Sequence, residues 1–284
     1  MGTPADSRHP LFVAASDLLP PRTCEPTAVP SLFVISLPRS LSTLTYQVSR
    51  RALGLAEPVW TTDGEVLNSE RFVLCDPGAA ASRRFTRPAE APAASSRIYA
   101  FLDLVAKPCG FAYKDVVQPF LAAAWLAKRG KALRVLRISR PLADVALALL
   151  RRGWLFPSLP GAARPGEGQE VALLRGLLAA EAALQAMSGV AIEYDSLIRD
   201  EETLRQALRR LYPEQSLREL SYINPEFRRR RAQSLEVRES RRHAELSEAL
   251  AVIRAEASVP SGGEDRHPLL DSRLPAELAG EGQP

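Results

Sequence analysis

Residues 31–44 read Ser-Leu-Phe-Val-Ile-Ser-Leu-Pro-Arg-Ser-Leu-Ser-Thr-Leu. Ser31 to Leu37 is a continuous apolar run of strand length ended by Pro38, which predicts a strand buried on both faces. From Ser42 to Leu53 the pattern predicts a helix, stopped by Gly54 at the C-terminal cap position. The tight link between them aims backbone N–H groups and a helix N-terminus at the space beyond the strand, an arrangement suited to an anion.

Working outward, the chain repeats this alternation. Strands are expected at Phe111–Val116, Leu133–Ile138 and Val190–Glu193. Helices are expected over Gly64–Val73, Arg97–Ala106, Pro119–Lys128, Pro141–Leu150, Glu170–Met187, Glu201–Leu211 and Leu235–Ala257. Proline is favourable at the start of the Pro141 helix. Gly78–Ser96, rich in Ala, Arg and Pro, and the Gly/Pro-rich Ala163–Gln169 are read as loops. Strands alternating with crossover helices define an α/β fold, a parallel sheet covered on both faces, with its binding crevice beyond the strand C-termini. Residues 1–29 are read as a poorly ordered lead, 30–257 as the domain, and 258–284 as a flexible tail.

Of 284 residues, 46% are hydrophobic and 25% charged, which excludes collagen-like, disulfide-scaffold and wholly disordered classes. The longest apolar run, Pro119 to Ala127, stops at Lys128, so no membrane span is expected. The first residues show no basic region leading into an apolar core. Cys24, Cys75 and Cys109 are an odd, dispersed set, which argues against a disulfide framework or zinc site and for a reducing cytoplasm. A net charge of +4 makes no case for nucleic acid. Four lysines stand against thirty-three arginines. That excess suits forked recognition of phosphate or sulfate, although a drift toward Arg, Ala, Pro and Leu from nucleotide composition is the preferred reading.

After the first strand, Arg39 adds a fixed positive fork, and Ser40, Ser42 and Thr43 add hydroxyl donors around Leu41. This is not the Walker sequence, since its lysine and both glycines are missing. The stretch Pro38-Arg39-Ser40-Leu41-Ser42-Thr43 resembles the PRSGST loop by which bacterial sulfotransferases hold the 5′-phosphosulfate of 3′-phosphoadenosine 5′-phosphosulfate (PAPS), with Leu41 in place of glycine. Arg140-Pro-Leu-Ala-Asp144-Val-Ala-Leu-Ala148 is similar to the family's R-x-x-x-D-V-A-L-S element for the 3′-phosphate, with Ala148 in place of serine. Arg140 leaves a strand C-terminus where a second phosphate could dock, while Asp144 in the first helical turn favours the helix dipole and reads as structural. Val190–Glu202 resembles the strand and helix that follow in the family, an architectural element. The resemblance spans Ser31 to Tyr212 and implies a P-loop NTPase-like three-layer fold and a PAPS-dependent sulfotransferase. Its product would be 3′-phosphoadenosine 5′-phosphate and its partner a small-molecule hydroxyl acceptor. No metal is implied.

Late basic segments of this family approach the 3′-phosphate, which would engage Arg229 and Arg230 of the run Arg228–Arg231; a solvated basic turn is the other reading. His9, His243 and His267 follow no core strand, so a carboxylate is the expected general base. Glu65 takes that role, with Asp63 second or else a helix cap. Lys114, in the pair Lys114-Asp115 at the end of a strand, would compensate sulfonate or leaving-group charge, or else simply pair with a carboxylate. Gly78–Ser96 and Trp154–Gly168 are candidate lids, with Trp154, Leu155 and Phe156 touching the acceptor or packing in the core. The alternatives are an ATP-dependent phosphotransferase and a noncatalytic anion- or protein-binding module.

Overall fold

The computed structural model describes residues 28–59, 61, 63–67, 85–129, 133–155, 157–159 and 165–258; the side chains of Ala94, Arg129, Arg230, Ser234 and Ser258 lie outside this description. The lead up to residue 27, the tail beyond 258, and residues 78–84 of the expected loop Gly78–Ser96 therefore fall outside it. The rest of that segment is not all loop, because Pro88–Glu90 is a 3-10 turn and a helix begins at Pro92, where proline suits the first helical position.

Four parallel strands form one sheet: β1 (Ser31–Ser36), β2 (Ala112–Asp115), β3 (Leu133–Ser139) and β4 (Val190–Glu193), in the order β2-β1-β3-β4. Every residue of β1 is buried, as its unbroken apolar run requires of a central strand. Nine α-helices are described. They are α1 (Ser42–Leu53), α2 (Pro92–Val105), α3 (Pro119–Arg129), α4 (Leu142–Leu150), α5 (Gln169–Gln185), α6 (Tyr194–Leu197), α7 (Glu201–Leu211), α8 (Pro225–Arg238) and α9 (Arg241–Ser258). One face of β1 presents Leu32 and Val34 to a core shared with α1 and α7, through Tyr46, Ala52, Leu53, Leu204 and Leu208. The other presents Phe33 and Ile35 to a larger core built with α2, α3, α4, α5 and α9. The molecule is thus a three-layer α/β protein. Among the described residues no helix is long and apolar enough to cross a membrane.

Several sequence expectations are corrected. Gly64–Leu67 is not helical: Glu65 forms a parallel bridge with Lys114, with Lys114 N–H donating to the Gly64 carbonyl and Val66 N–H to the Lys114 carbonyl. The cause is two successive left-handed residues, Asp63 (φ 52°) and Gly64 (φ 72°), which turn the chain onto the open edge of β2. A side chain at Gly64 would put its Cβ 2.3 Å from the Tyr46 ring. Asp63 consequently caps no helix, and its carboxylate accepts from Gln47 instead at 3.0 Å.

The helix expected over Leu235–Ala257 is two helices. Ser240 breaks it by accepting from His243 N–H on its side-chain oxygen at 3.3 Å. The run Arg228–Arg231 is not a turn but lies inside α8, whose start is set by Asn224, accepting from Phe227 N–H at 2.9 Å, and by Pro225 at the first helical position. Finally, Cys109 is disulfide-bonded, against the expectation drawn from an odd, dispersed set of cysteines in a reducing compartment. Spacing along the chain could not reveal this. The Cys109 backbone also forms an antiparallel bridge with Pro30 as the chain enters the sheet.

Candidate functional site

The strand order places the switch point between β1 and β3. The chain leaves β1 for β2 on one side and returns to β3 on the other, so the loops after β1 and β3 face one another. They touch directly, since Arg140 Nη1 donates to the Arg39 carbonyl.

In the loop after β1, Arg39 and Leu41 both take left-handed backbone conformations, at φ 66° and 61°. These cost side-chain-bearing residues about 1–2 kcal/mol each. Leu41 is the N-cap of α1 and no side chain among the described residues caps that helix, leaving its first N–H groups to other acceptors. Ser40 Oγ is buried without a hydrogen-bond partner among the described residues. A buried hydroxyl costs about 1–3 kcal/mol when unpaired. Strain, an uncapped helix entry and an orphaned hydroxyl all converge on one loop, which matches an anion ligand supplying the missing acceptors.

At the end of β3, the Arg140 guanidinium lies over the Tyr194 ring, 4.2 Å from its centroid, and its Nε is 3.5 Å from Asp144 Oδ2. Asp144 is a buried junction. Arg238 grips it through two nitrogens while also binding Asp195, and His243 Nε2 lies 2.9 Å from Oδ1. Hydrogen bonds to Asp195 and then Asp144 raise the Arg238 pKa above its ordinary value. This fastens α8 across α4. Between them and the two loops lies a cavity of about 240 Å³ lined by Arg39, Arg140, Arg151 and Asp144, with Leu147, Ala148, Gln233 and Val237. Partial desolvation, then the charges of Arg152 and Arg140, lowers the Arg39 pKa from its ordinary value. Positive charge is therefore crowded at this crevice.

Lys114, from β2, is 1% exposed. Its Nζ donates to Thr43 Oγ1 at 2.7 Å and pairs with Glu65 Oε1 at 3.0 Å. The ammonium thus joins the entry of α1 to the carboxylate that the Asp63–Gly64 turn delivers. The lysine missing from the loop reaches it from a neighbouring strand.

Beside it, Asp115 is fully buried. Its Oδ2 accepts from the N–H groups of Gln118 and Val117 at 2.9 and 3.2 Å, and Oδ1 has no partner among the described residues. Burial, reinforced by the charge of Glu65, pushes its carboxyl up to about 7. A folded-state value above the ordinary 3.8 means stability fully present at low pH is lost as pH rises from there to about 7. Asp115→Asn keeps an acceptor oxygen but cannot ionise. It is expected to exceed the parent protein's stability above pH 7 by on the order of 2–4 kcal/mol, the gap closing toward pH 4. Urea unfolding at the two pH values measures this, and an unchanging gap would refute it.

Thus Arg39, Ser40, Leu41, Ser42, Thr43 and Arg140 surround the switch point, and Glu65 and Lys114 form its second group. Arg229 is elsewhere: it is exposed on α8, paired with Glu226 at 2.7 Å, and does not line the cavity. The side chain of Arg230 lies outside the description. Gln233 and Val237, one to two turns further along α8, face the cavity instead. His243 stands behind the cavity wall on Asp144, while His9 and His267 are outside the described residues. Trp154 and Leu155 pack against the larger core, and Phe156 is outside the description. Sequence reasoning missed Arg151, Gln233 and the Arg238 fastening. Only Arg151 had a local signal, standing three residues after Ala148 on the same helical face.

No family profile matches the sequence, and no curated protein does. Among solved structures the chain is similar to a "Sulfotransferase Domain from the Curacin Biosynthetic Pathway". The TM-score is 0.39 and the identity 14%, over 71% of this chain and 77% of that one.

Proposed function

We propose that this chain is a sulfotransferase that uses PAPS to sulfate a hydroxyl of a small-molecule acceptor. The observation that carries this reading is the meeting of two anion-seeking loops at one switch point. The loop after β1 has the orphaned Ser40 and the uncapped α1, and the loop after β3 has Arg140 at the mouth of a three-arginine cavity. A nucleotide with phosphate groups at two positions answers both. The residues fit that donor: Arg39, Ser40, Ser42, Thr43 and the backbone at Leu41 would hold the 5′-phosphosulfate, and Arg140 the 3′-phosphate.

PAPS supplies a sulfuryl group whose bond to the 5′-phosphate breaks as a bond to the acceptor oxygen forms. Glu65 takes the acceptor's proton. Lys114 holds Glu65 and Thr43 in register and, with Arg39, compensates charge growing on the leaving phosphate.

The test combines binding with turnover. Adenosine 3′,5′-bisphosphate at about 100 times its dissociation constant is expected to stabilise the protein by roughly 2.7 kcal/mol. Labelled PAPS is expected to transfer its sulfate to a compound in a metabolite extract without magnesium. No stabilisation would favour a noncatalytic module. Magnesium-dependent turnover of ATP would favour a phosphotransferase.

A further inference from the structure

Resting on that reading of the centre, we infer that Arg151 makes the cavity selective for a phosphomonoester dianion over a plain hydroxyl at the second end of the nucleotide. Ala148 and Arg151 both line the cavity and lie three residues apart, so they share one side of α4 and its C-terminal cap. Ala148 offers no donor. Arg151 has no carboxylate partner among the described residues, whereas two neighbouring arginines are committed: Arg238 is held by Asp144 and Asp195, and Arg152 lies over the Trp154 ring.

Asp144, the one acidic group among the described residues that line the cavity, does not oppose an anion. Arg238 grips both its oxygens, and His243 lies beside it. The remaining balance is positive: Arg39 and Arg151 are uncompensated, and Arg140 contributes as well. A phosphomonoester carries close to two negative charges at neutral pH and three acceptor oxygens for such forks. A hydroxyl there would leave the guanidinium groups facing one another. The apolar walls Leu147 and Val237 lower the local dielectric and raise the value of each charge contact.

The full-length chain is titrated calorimetrically with adenosine 3′,5′-bisphosphate and with adenosine 5′-phosphate. Arg151→Ala is expected to weaken the bisphosphate by about 10–100-fold while changing the monophosphate by no more than about twofold. Adding Ala148→Ser to that variant restores a hydroxyl donor on the same face and is expected to recover about 3–10-fold. Equal losses for both nucleotides, or none for either, overturn the inference while leaving the wider reading in place. Parent protein that binds neither nucleotide overturns both. Arg151 is exposed at a helix end, so an unchanged melting temperature checks that the variant is folded.

Discussion

Arg39→Gly is expected to lower kcat/KM for PAPS by about 10³–10⁵-fold without loss of fold stability. The loss combines two effects. Removing a charged fork from a phosphate forfeits a charge-assisted contact worth roughly 1.5–3 kcal/mol in binding. Losing a donor aimed at developing charge adds about 10²–10³ in rate. Glycine is the informative replacement because Arg39 sits at φ 66°. Alanine would keep the backbone strain, whereas glycine removes it and is expected to stabilise the loop by about 1 kcal/mol. Activity and stability would then move in opposite directions, which simple unfolding cannot produce. The readouts are steady-state kinetics and thermal melting on the same preparation. Retained turnover would remove Arg39 from the centre.

Glu65→Gln is expected to cut turnover by about 10²–10⁴-fold while sparing stabilisation by adenosine 3′,5′-bisphosphate. Glutamine keeps the length of the side chain and an oxygen able to accept from Lys114, so the link from β2 to Thr43 survives. What disappears is the capacity to take a proton. Lost nucleotide binding would show that Glu65 acts by positioning Lys114. Near-normal turnover would move the base elsewhere, first to Asp63.

The parts of this architecture legible in sequence were those set by near neighbours. β4 and the helices α1 and α7 fall at Val190–Glu193, Ser42–Leu53 and Glu201–Leu211 as expected. Each helix has a boundary residue that announces itself: Gly54 with its left-handed backbone after α1, and Asp200 accepting from Glu202 N–H before α7. A similar signal, Asn224-Pro225, was present ahead of α8 and would have placed the four arginines on a helix. The Glu65 segment carried no such mark. Its conformation is dictated by pairing with Lys114, and local periodicity is silent about strand partners so far away. The cavity is still less local: Arg39, Arg151 and Gln233 come together only through the packing of α4 and α8. Motif reading could therefore find the two loops but not the wall that encloses them.

That wall has a kinetic consequence. Gln233 and Val237 belong to a helix that is translated long after β1 and is secured by Arg238 across two carboxylates. A nascent chain that has completed its sheet therefore possesses the strained loop after β1 without its enclosure. On the proposed reading, nucleotide capture would be a late event in maturation, gated by the docking of one helix rather than by collapse of the core.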